Sequence, residues 1–283
     1  MRLLSIQSSV AYGHVGNSAA VFPLQRLGVE VLPVSTVLFS NHTGYGSWRG
    51  LRLAPADVAD VVLGIEERGA FPGLDVVLSG YLGDAGTAAV VADAVVRVKA
   101  ANPAAIYACD PVMGNATAGR FVAADIPDVL RRSVIPHADL ITPNQFELGL
   151  LTGTEPTTLD SLLDAVDAAR AIGPATVLVT SVARTEGDPA AIEMLAADAS
   201  GAWLVATPRL PGTFGGTGDV TAALFTAHLH ATGDPAAALA RTASSVFDLV
   251  ELTVESGDRE LRLVEAQDRY AAPRLQFPVT RVR

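Results

Sequence analysis

The stretch DVVLSGYLGDAGTAAVVADAVVRVKA, residues 75–100, contains the pattern that determines the fold. It begins with a short apolar run, residues 75–80, and continues into a longer helical pattern from about Asp84 to Ala100. A buried strand followed by a helix is the repeating unit of a parallel sheet, because the chain must cross over the sheet before it starts the next parallel strand. This stretch therefore predicts an α/β fold.

The same unit recurs along the chain. Further apolar runs that end in small or polar residues are RLLSIQS (2–8), EVLPVSTVLFS (30–40), AIYACDP (105–111), ADLITPN (138–144) and ATVLVTS (175–181). Helical patterns are predicted over residues 17–27, 55–68, 84–100, 124–133, 145–152 and 159–172. The alternation predicts a mostly parallel central sheet with helices on both faces.

The pattern changes after Thr180. IEMLAAD (192–198) and AWLVAT (202–207) flank a turn at Ala199-Ser200-Gly201 and predict an antiparallel hairpin at the sheet edge. Helices are predicted again over 218–230, 235–255 and 261–270. No linker, repeat or low-complexity segment interrupts the chain, so we expect a three-layer α/β sandwich in a single domain, residues 1–283.

Composition excludes several classes of protein. The net charge is −10 and only 20 of the 283 residues are Lys or Arg, which argues against a nucleic-acid partner. The single cysteine, Cys109, excludes an internal disulfide and a thiolate-rich metal site. No apolar stretch approaches the ~20 residues that span a bilayer, and the N-terminal run is too short for a signal sequence. We expect a cytoplasmic protein without a membrane partner.

Polar and small residues follow the predicted strands. In a parallel sheet, ligands bind in the crevice beyond the carboxyl ends of the strands. The residues at those ends are Ser8, the loop 39–45, Gly80, Tyr81, Asp110, Pro143, Asn144, Thr180 and Ser181. Any one strand must end in turn residues, but six such ends at one edge favour a binding site.

GTFGGTGDVTAALF, residues 212–225, predicts an anion-binding helix start. Gly215, Gly216 and Gly218 allow close approach of the backbone to a ligand, and the first N–H groups of the helix have no intrahelical partner. Asp219 then has two interpretations. It is either a helix cap or a general base that takes a proton from a substrate hydroxyl while the helix start stabilises the transferred phosphoryl group. Neither GxxxxGK[ST] nor GxGxxG occurs, which argues against a P-loop and against a dinucleotide-binding fold.

Asp110, Asn144 and Glu147 supply oxygen ligands at the same edge. Mg²⁺ usually takes one or two carboxylates together with substrate phosphates, so an acidic protein that binds a polyphosphate would use this metal for the missing positive charge. The alternative is that each residue caps a helix or ends a turn.

Three loops complete the candidate site. The first, SSVAYGHVGNS (8–18), places Tyr12 and His14 beside two glycines, and the second, FSNHTGYGSW (39–48), mixes aromatic and polar groups in the way that sites for flat aromatic ligands do. The third, residues 113–121, consists of small residues and carries one charge, Arg120, which suits a lid that meets a phosphate. Each is otherwise an ordinary loop.

Together these stretches resemble the pyridoxal kinases of the ribokinase-like superfamily. The shared motifs are QSSVAYGHVGNSAAVFPLQRLG, FSNHTGYGSWRG, SGYLGD, CDPVMG, TPNQFELGLL and GTGD, in the family's order. The resemblance implies transfer of the γ-phosphoryl group of ATP to the 5′-hydroxymethyl group of pyridoxal, with pyridoxine and pyridoxamine left open as further acceptors. It also implies Mg²⁺, a monovalent cation such as K⁺, and a homodimer.

Residue roles follow from the resemblance by position. It implies a vitamin pocket lined by Ser8, Val15, Thr43 and Tyr81. It implies nucleotide contacts from Asp110, Asn144, Glu147, Thr180, Ser181 and Thr217, with Asp110 and Glu147 near the metal. Gly216, Thr217 and Gly218 match the anion hole, and Asp219 matches the general base. The chain departs from the family at Ser9, where His is common, and over residues 182–189, which carry no family motif.

Two alternatives remain at this point. A hydroxymethylpyrimidine kinase would phosphorylate another small heterocycle that bears a hydroxymethyl group, and a non-catalytic protein would only bind B6 vitamers. The FSNHTGY loop favours pyridoxal over the pyrimidine, and the intact GTGD motif favours an enzyme over a binding protein.

Overall fold

Strands and helices alternate along the chain in the computed structural model, which describes residues 1–283. The elements in chain order are β1 (Arg2–Tyr12), α1 (Asn17–Arg26), β2 (Glu30–Asn41), β3 (Gly50–Arg52), α2 (Pro55–Glu67), β4 (Val76–Ser79), α3 (Ala85–Ala101), β5 (Ile106–Cys109), β6 (Gly114–Asn115), β7 (Gly119–Arg120), α4 (Ile126–Val129), β8 (Leu140–Ile141), α5 (Gln145–Thr152), α6 (Leu159–Arg170), β9 (Thr176–Val182), β10 (Ala191–Asp198), β11 (Gly201–Pro208), α7 (Thr217–Thr232), α8 (Pro235–Ser256), α9 (Gln267–Ala271) and β12 (Val279–Arg281).

The main sheet has ten strands in the order β12-β11-β10-β9-β8-β5-β4-β1-β2-β3. The six strands from β9 to β2 pair in parallel, whereas β10, β11 and β12 continue one edge in antiparallel pairing and β3 adds an antiparallel strand at the other. The predicted parallel core and the predicted edge hairpin are confirmed. The three-residue strands β3 and β12 are additions that the sequence pattern did not predict.

Both faces of the sheet are apolar, which is why helices cover both. Successive side chains of a strand point to opposite faces, and in β4 Val76 and Leu78 pack into one cluster while Val77 packs into the other. The Val77 face is covered by α2 to α6. The Val76 face is covered by α1, α7 and α8, and α9 packs against α8. The predicted three-layer arrangement is therefore confirmed.

Local signals determine where the helices nearest the site begin and end. The Asn144 side chain accepts a hydrogen bond from the Glu147 N–H and the Glu147 side chain accepts one from the Asn144 N–H, which together form a capping box at the start of α5. Asp234 caps α8, which has Pro235 at its first position. These helix starts agree with the sequence prediction.

Two predicted helices differ from the structure. Residues 261–270 form only the short helix α9 at their end, because Leu261 and Leu263 are buried in a turn segment that packs against Tyr270. The pattern over 124–133 forms α4 and then a π-helical turn, Leu130–Val134, which a 3₁₀ turn containing Pro136 follows. None of the helices combines the length and the apolar composition that crossing a bilayer requires.

Candidate active site

The candidate site residues lie along one edge of the sheet in an order that separates them by predicted role. Thr180 and Ser181 lie near the end of β9, Asn144 follows β8, and Asp110 follows β5. Tyr81 follows β4, and the remaining vitamin-pocket residues lie on or after β1 and β2. Because these six strands are neighbours in that order, the predicted nucleotide residues occupy one half of the edge and the predicted vitamin residues occupy the other.

Helix α7 begins against the loop that follows β1. Gly216 has φ +83°, and a Cβ atom there would lie 1.8 Å from the His14 carbonyl oxygen, so only glycine allows this contact. A Cβ atom at Gly218 would meet nothing within 4 Å, so the first turn of α7 is open at this residue. An anion can therefore approach the backbone N–H groups on this side of the turn. The Thr217 hydroxyl donates to the Phe214 carbonyl oxygen at 3.0 Å.

Asp219 lies in the first turn of α7, between the two halves of the edge. Its residue is partly exposed to solvent, yet burial of the carboxyl group raises its pKa to about 6, while the backbone N–H groups of Gly16 and of Asp219 itself favour the charged form. A carboxylate with a pKa near 6 is ionised at pH 7 and is a stronger base than an ordinary aspartate. Asp219 thus has the properties of a general base.

Asp110 and Glu147 are buried beside Asp219. The Glu147 Oε1 atom accepts hydrogen bonds from the Met113 and Gly114 N–H groups at 2.8 and 3.2 Å, and its Oε2 atom accepts one from Asn144 N at 2.9 Å. Thr142 Oγ1 donates to Asp110 Oδ1 at 3.1 Å. Burial raises the pKa of both carboxyl groups, and the neighbouring carboxylates raise these pKa values further.

This arrangement fits a divalent cation that arrives with a nucleotide. The Asp219 charge raises the pKa values of Asp110 and Glu147, and no cationic side chain is among the causes of the pKa shifts of the three carboxyl groups. No group of three or more His, Cys, Asp or Glu side chains is placed to hold a metal ion by itself. The protein therefore offers one or two carboxylates and would need phosphate oxygens to complete the coordination, as Mg²⁺ sites in kinases do.

Two predicted vitamin-pocket residues meet at one apolar cluster. Val15 and Tyr81 both pack against Val10, Val37 and Phe39. The Tyr81 backbone is held from the side, since Thr36 Oγ1 donates to its carbonyl oxygen at 2.8 Å.

Ser8 and Thr43 differ in their surroundings. Ser8 is buried in β1, which continues to Tyr12 instead of ending at Ser8, and it lies where the β1–β2 register breaks between Gln7 and Ser9. Thr43 is exposed in a 3₁₀ turn, Thr43–Tyr45. Both therefore lie on the vitamin half of the edge, one on the floor of the crevice and the other on a loop.

Sequence reasoning missed Glu260, which connects the two loops of the vitamin half. Its Oε2 atom accepts a hydrogen bond from His14 N at 2.9 Å, and its Oε1 atom accepts one from Tyr45 Oη at 2.6 Å. Tyr45 is thereby held as a donor, and its pKa is raised to about 12 chiefly by this hydrogen bond. Glu260 is 246 residues from His14 in the chain and lies in the charged segment DRELR, so no local pattern identifies it.

On the nucleotide half, Ser181 is the only residue other than glycine with positive φ, at 53°. Such a conformation is uncommon for a residue with a side chain, and strained residues of this kind cluster at functional sites. Thr180 N donates to the Pro143 carbonyl oxygen at 3.0 Å, which holds the end of β9 beside Asn144. No hydrogen bond joins Thr180 or Ser181 to Asp110 or Asp219.

The two arginines near this half differ in availability. Arg184, in the segment without a family motif, donates to both carboxylate oxygens of Glu193, at 2.7 and 2.8 Å, and to Glu186 at 3.0 Å. Its charge is therefore already paired.

Arg120 is exposed on β7, which pairs with β6 to make residues 113–121 a small hairpin instead of an irregular loop. The Asn144 side chain anchors this hairpin by donating to the Gly114 carbonyl oxygen at 2.8 Å.

The raised pKa of Asp219 predicts a pH-dependent effect on stability. The folded protein holds the Asp219 proton more tightly than the unfolded chain does, so the stability that this group contributes is fully present below about pH 4 and is lost as the pH rises through about 6. Asp219→Asn should therefore unfold at a higher urea concentration than the natural protein at pH 8, and this difference should shrink at pH 4. Urea titrations at both pH values measure it, with the exposed substitution Asp60→Asn on α2 as the matched control. A variant that is less stable than the natural protein at pH 8 would contradict the prediction.

Comparison with known proteins identifies the family. A family model described as phosphomethylpyrimidine kinase matches residues 72–261. The chain is 66% identical over 282 residues to pyridoxal kinase PdxY of Leifsonia xyli subsp. xyli and 58% identical over 282 residues to pyridoxal kinase PdxY of Corynebacterium diphtheriae, with 100% of both chains covered in each case. Among solved structures, pyridoxal kinase from Leishmania donovani in complex with ADP and pyridoxine is similar with a TM-score of 0.93 and 31% identity, covering 100% of this chain and 99% of that one.

These similarities include the whole candidate site. The family model spans Asp110, Glu147 and Asp219, and the full-length relatives also span the two vitamin loops. The chain therefore belongs to the pyridoxal kinases of the phosphomethylpyrimidine kinase family.

Proposed function

We propose that this protein is an ATP-dependent pyridoxal kinase that converts the 5′-hydroxymethyl group of pyridoxal into its phosphate ester. The observation that carries the proposal is the position of Asp219, which lies at the start of α7 between the nucleotide half and the vitamin half of the sheet edge. Relatives at 66% and 58% identity are pyridoxal kinases, and the solved relative binds ADP and pyridoxine.

In this proposal the reaction takes place at the first turn of α7. The Asp219 carboxylate accepts the proton of the acceptor hydroxyl. At the same time the hydroxyl oxygen of the acceptor bonds to the γ-phosphorus, and the bond between the γ-phosphorus and the departing ADP oxygen breaks. The free N–H groups of the turn stabilise the charge on the transferred phosphoryl group, with Gly216 and Gly218 allowing the approach. The acid and the anion-binding turn thus act on different groups.

We propose separate roles for the two buried acids. When bound, Mg²⁺ supplies positive charge to the phosphate oxygens of the nucleotide. The Asp110 side chain accepts one hydrogen bond, from Thr142, and is the acid better placed to face the metal. Glu147 accepts three backbone hydrogen bonds. It therefore contributes mainly its negative charge and the hydrogen bonds that fix the first residues of the 113–121 hairpin.

The vitamin half suits a flat ring that carries a hydroxymethyl group. We propose that Val15 and Tyr81, which pack against one apolar cluster, contact the ring, and that Ser8 and Thr43 supply polar contacts at its edge. On the other half, Thr180, Ser181 and Asn144 would contact the nucleotide. A monovalent cation, a homodimer, a cytoplasmic location and a single domain over residues 1–283 remain predictions from the sequence.

The direct test supplies the purified protein with ATP and Mg²⁺ together with each heterocycle in turn. Pyridoxal should give a product with the mass and absorbance of its 5′-phosphate, and EDTA should abolish the reaction until Mg²⁺ is restored. Hydroxymethylpyrimidine, the acceptor of the alternative kinase, should give little product. Phosphorylation of the pyrimidine but not of pyridoxal would overturn the proposed substrate, and binding of pyridoxal without turnover would support a non-catalytic B6-binding protein.

Replacement of Asp219 tests its role as the base. Asp219→Asn should lower kcat by at least ~10²-fold, because removal of a general base typically costs that much, while the Kd for ATP should change little. Single-turnover kinetics and equilibrium nucleotide binding measure the two quantities, with Asp60→Asn as the surface control. If kcat is nearly unchanged, Asp219 only complements the positive end of the α7 helix dipole.

A further inference from the structure

The Glu260 carboxylate lies between the two loops of the vitamin half and bonds each loop through a different oxygen atom. Here the first loop means residues 12–16, within the stretch 8–18, and the second loop means residues 41–46, within the stretch 39–48. Oε2 accepts from the His14 N–H of the first loop at 2.9 Å. Oε1 accepts from Tyr45 Oη of the second loop at 2.6 Å and lies 3.3 Å from His42 Nε2. The Glu260 side chain is only 15% exposed, so water competes weakly for these contacts.

The backbone of the first loop is shaped around this carboxylate. Gly13 has φ +87°, and a Cβ atom at this position would lie 2.4–2.8 Å from the Glu260 carboxyl atoms. Such a distance is shorter than any normal contact, so the loop approaches Glu260 as closely as a glycine permits. The first loop is therefore restricted by two contacts with Glu260, the close approach of Gly13 and the hydrogen bond from the His14 N–H.

The second loop is held in the same region by aromatic contacts. The Arg259 guanidinium lies over the Tyr45 ring at 4.7 Å from its centroid. The Tyr45 ring also contacts the rings of His42, at 4.7 Å between centroids, and of Tyr12, at 5.9 Å, which belongs to the first loop. Tyr45 and Glu260 therefore join three segments that are far apart in the chain.

We propose that Glu260 is a positioning residue that holds the two vitamin-binding loops in register with each other. Val15 follows His14 directly, and Thr43 lies between His42 and Tyr45. The Glu260 carboxylate therefore restrains residues that are next to two predicted pocket residues in the chain. Glu260 itself does not touch the reacting groups in this account. The proposal rests on the proposed function for the identity of the ligand, but the contacts it invokes are independent of the reaction.

The two acceptor oxygens of the carboxylate explain why even Glu260→Gln should weaken the link between the loops. Gln has the same length but offers one acceptor oxygen and one donor amide, so it can satisfy either the His14 N–H or the Tyr45 hydroxyl and leaves the other donor facing an amide. Tyr45→Phe removes the hydroxyl from the opposite side of the same hydrogen bond. Both substitutions weaken the same link.

The effect should be larger for the vitamin than for the nucleotide. Loops that are no longer held must be ordered when the vitamin binds, which weakens its binding. The nucleotide residues Asn144, Thr180 and Ser181 lie on the other half of the sheet edge, and none of them bonds to Glu260. A general loss of folding would instead affect both substrates.

Steady-state kinetics of the full-length protein test this separation. Glu260→Gln should raise the KM for pyridoxal about tenfold, the equivalent of ~1.4 kcal/mol, with the KM for ATP changed less than about twofold. Tyr45→Phe should raise the KM for pyridoxal in the same direction, and the double variant should be less than additive because both changes break one contact. Glu255→Gln, an exposed change near the end of α8, is the control and should leave both KM values unaltered. Three results would overturn the proposal: equal increases in the KM for pyridoxal and the KM for ATP, an unchanged KM for pyridoxal in both single variants, or fully additive effects on this KM in the double variant.

Amide hydrogen exchange tests the same link without any reaction. In Glu260→Gln, or in Tyr45→Phe if the first variant does not fold, exchange in the segments covering residues 12–16 and 41–46 should be at least about tenfold faster than in the natural protein, with core segments such as β4 unchanged. Unchanged exchange in both loops would overturn the proposal. If the natural protein forms no pyridoxal phosphate but the loops still loosen, the proposed function fails while the structural link stands.

Discussion

The contact between Gly216 and the His14 carbonyl oxygen brings together the parts of the site. A Cβ atom at Gly216 would lie 1.8 Å from that oxygen, so α7 can begin this close to the β1–α1 loop only because the residue is glycine. The contact places the first turn of α7 over the sheet edge, with Asp219 near the Gly16 N–H on one side and near Asp110 on the other. Buried packing of Ala19 in α1 against Val220 and Leu224 in α7 holds the helix start at the same place.

Electrostatics explains why this position suits phosphoryl transfer. Asp110, Glu147 and Asp219 are carboxyl groups with raised pKa values in one small region, and no cationic side chain is among the causes of their shifts. Such a site is unfavourable for a bare anion but becomes balanced when a nucleotide brings a divalent cation. In the proposed reaction, the helix start then offers its N–H groups to the phosphoryl group, and Asp219 faces the acceptor. The charge pattern thus favours a metal–nucleotide complex over free phosphate.

The amino-acid sequence predicts much of the fold and part of the site. Buried strands that alternate with helices have a local pattern, as the run of residues 75–80 illustrates, and the GTGD helix start follows from its glycines and from the acidic residue in the first turn. Short edge strands such as β12 have no such pattern because three residues are too few to show a period. The apolar residues of 261–266 imitate a helix although they are buried in a turn segment. Glu260 is recognisable only after folding, because its partners are more than 200 residues away in the chain.

In the proposed mechanism, Asp219 removes the proton from the acceptor hydroxyl, and burial raises the pKa of this carboxyl group to about 6. The most direct measurement is the pH dependence of kcat/KM for pyridoxal in the natural protein and in Asp219→Asn. We expect kcat/KM of the natural protein to fall as the pH is lowered through about 6, because the base becomes protonated, and we expect the residual activity of the variant to lack this dependence. The same fall near pH 6 in the variant would contradict it, since another group would then be the one that titrates.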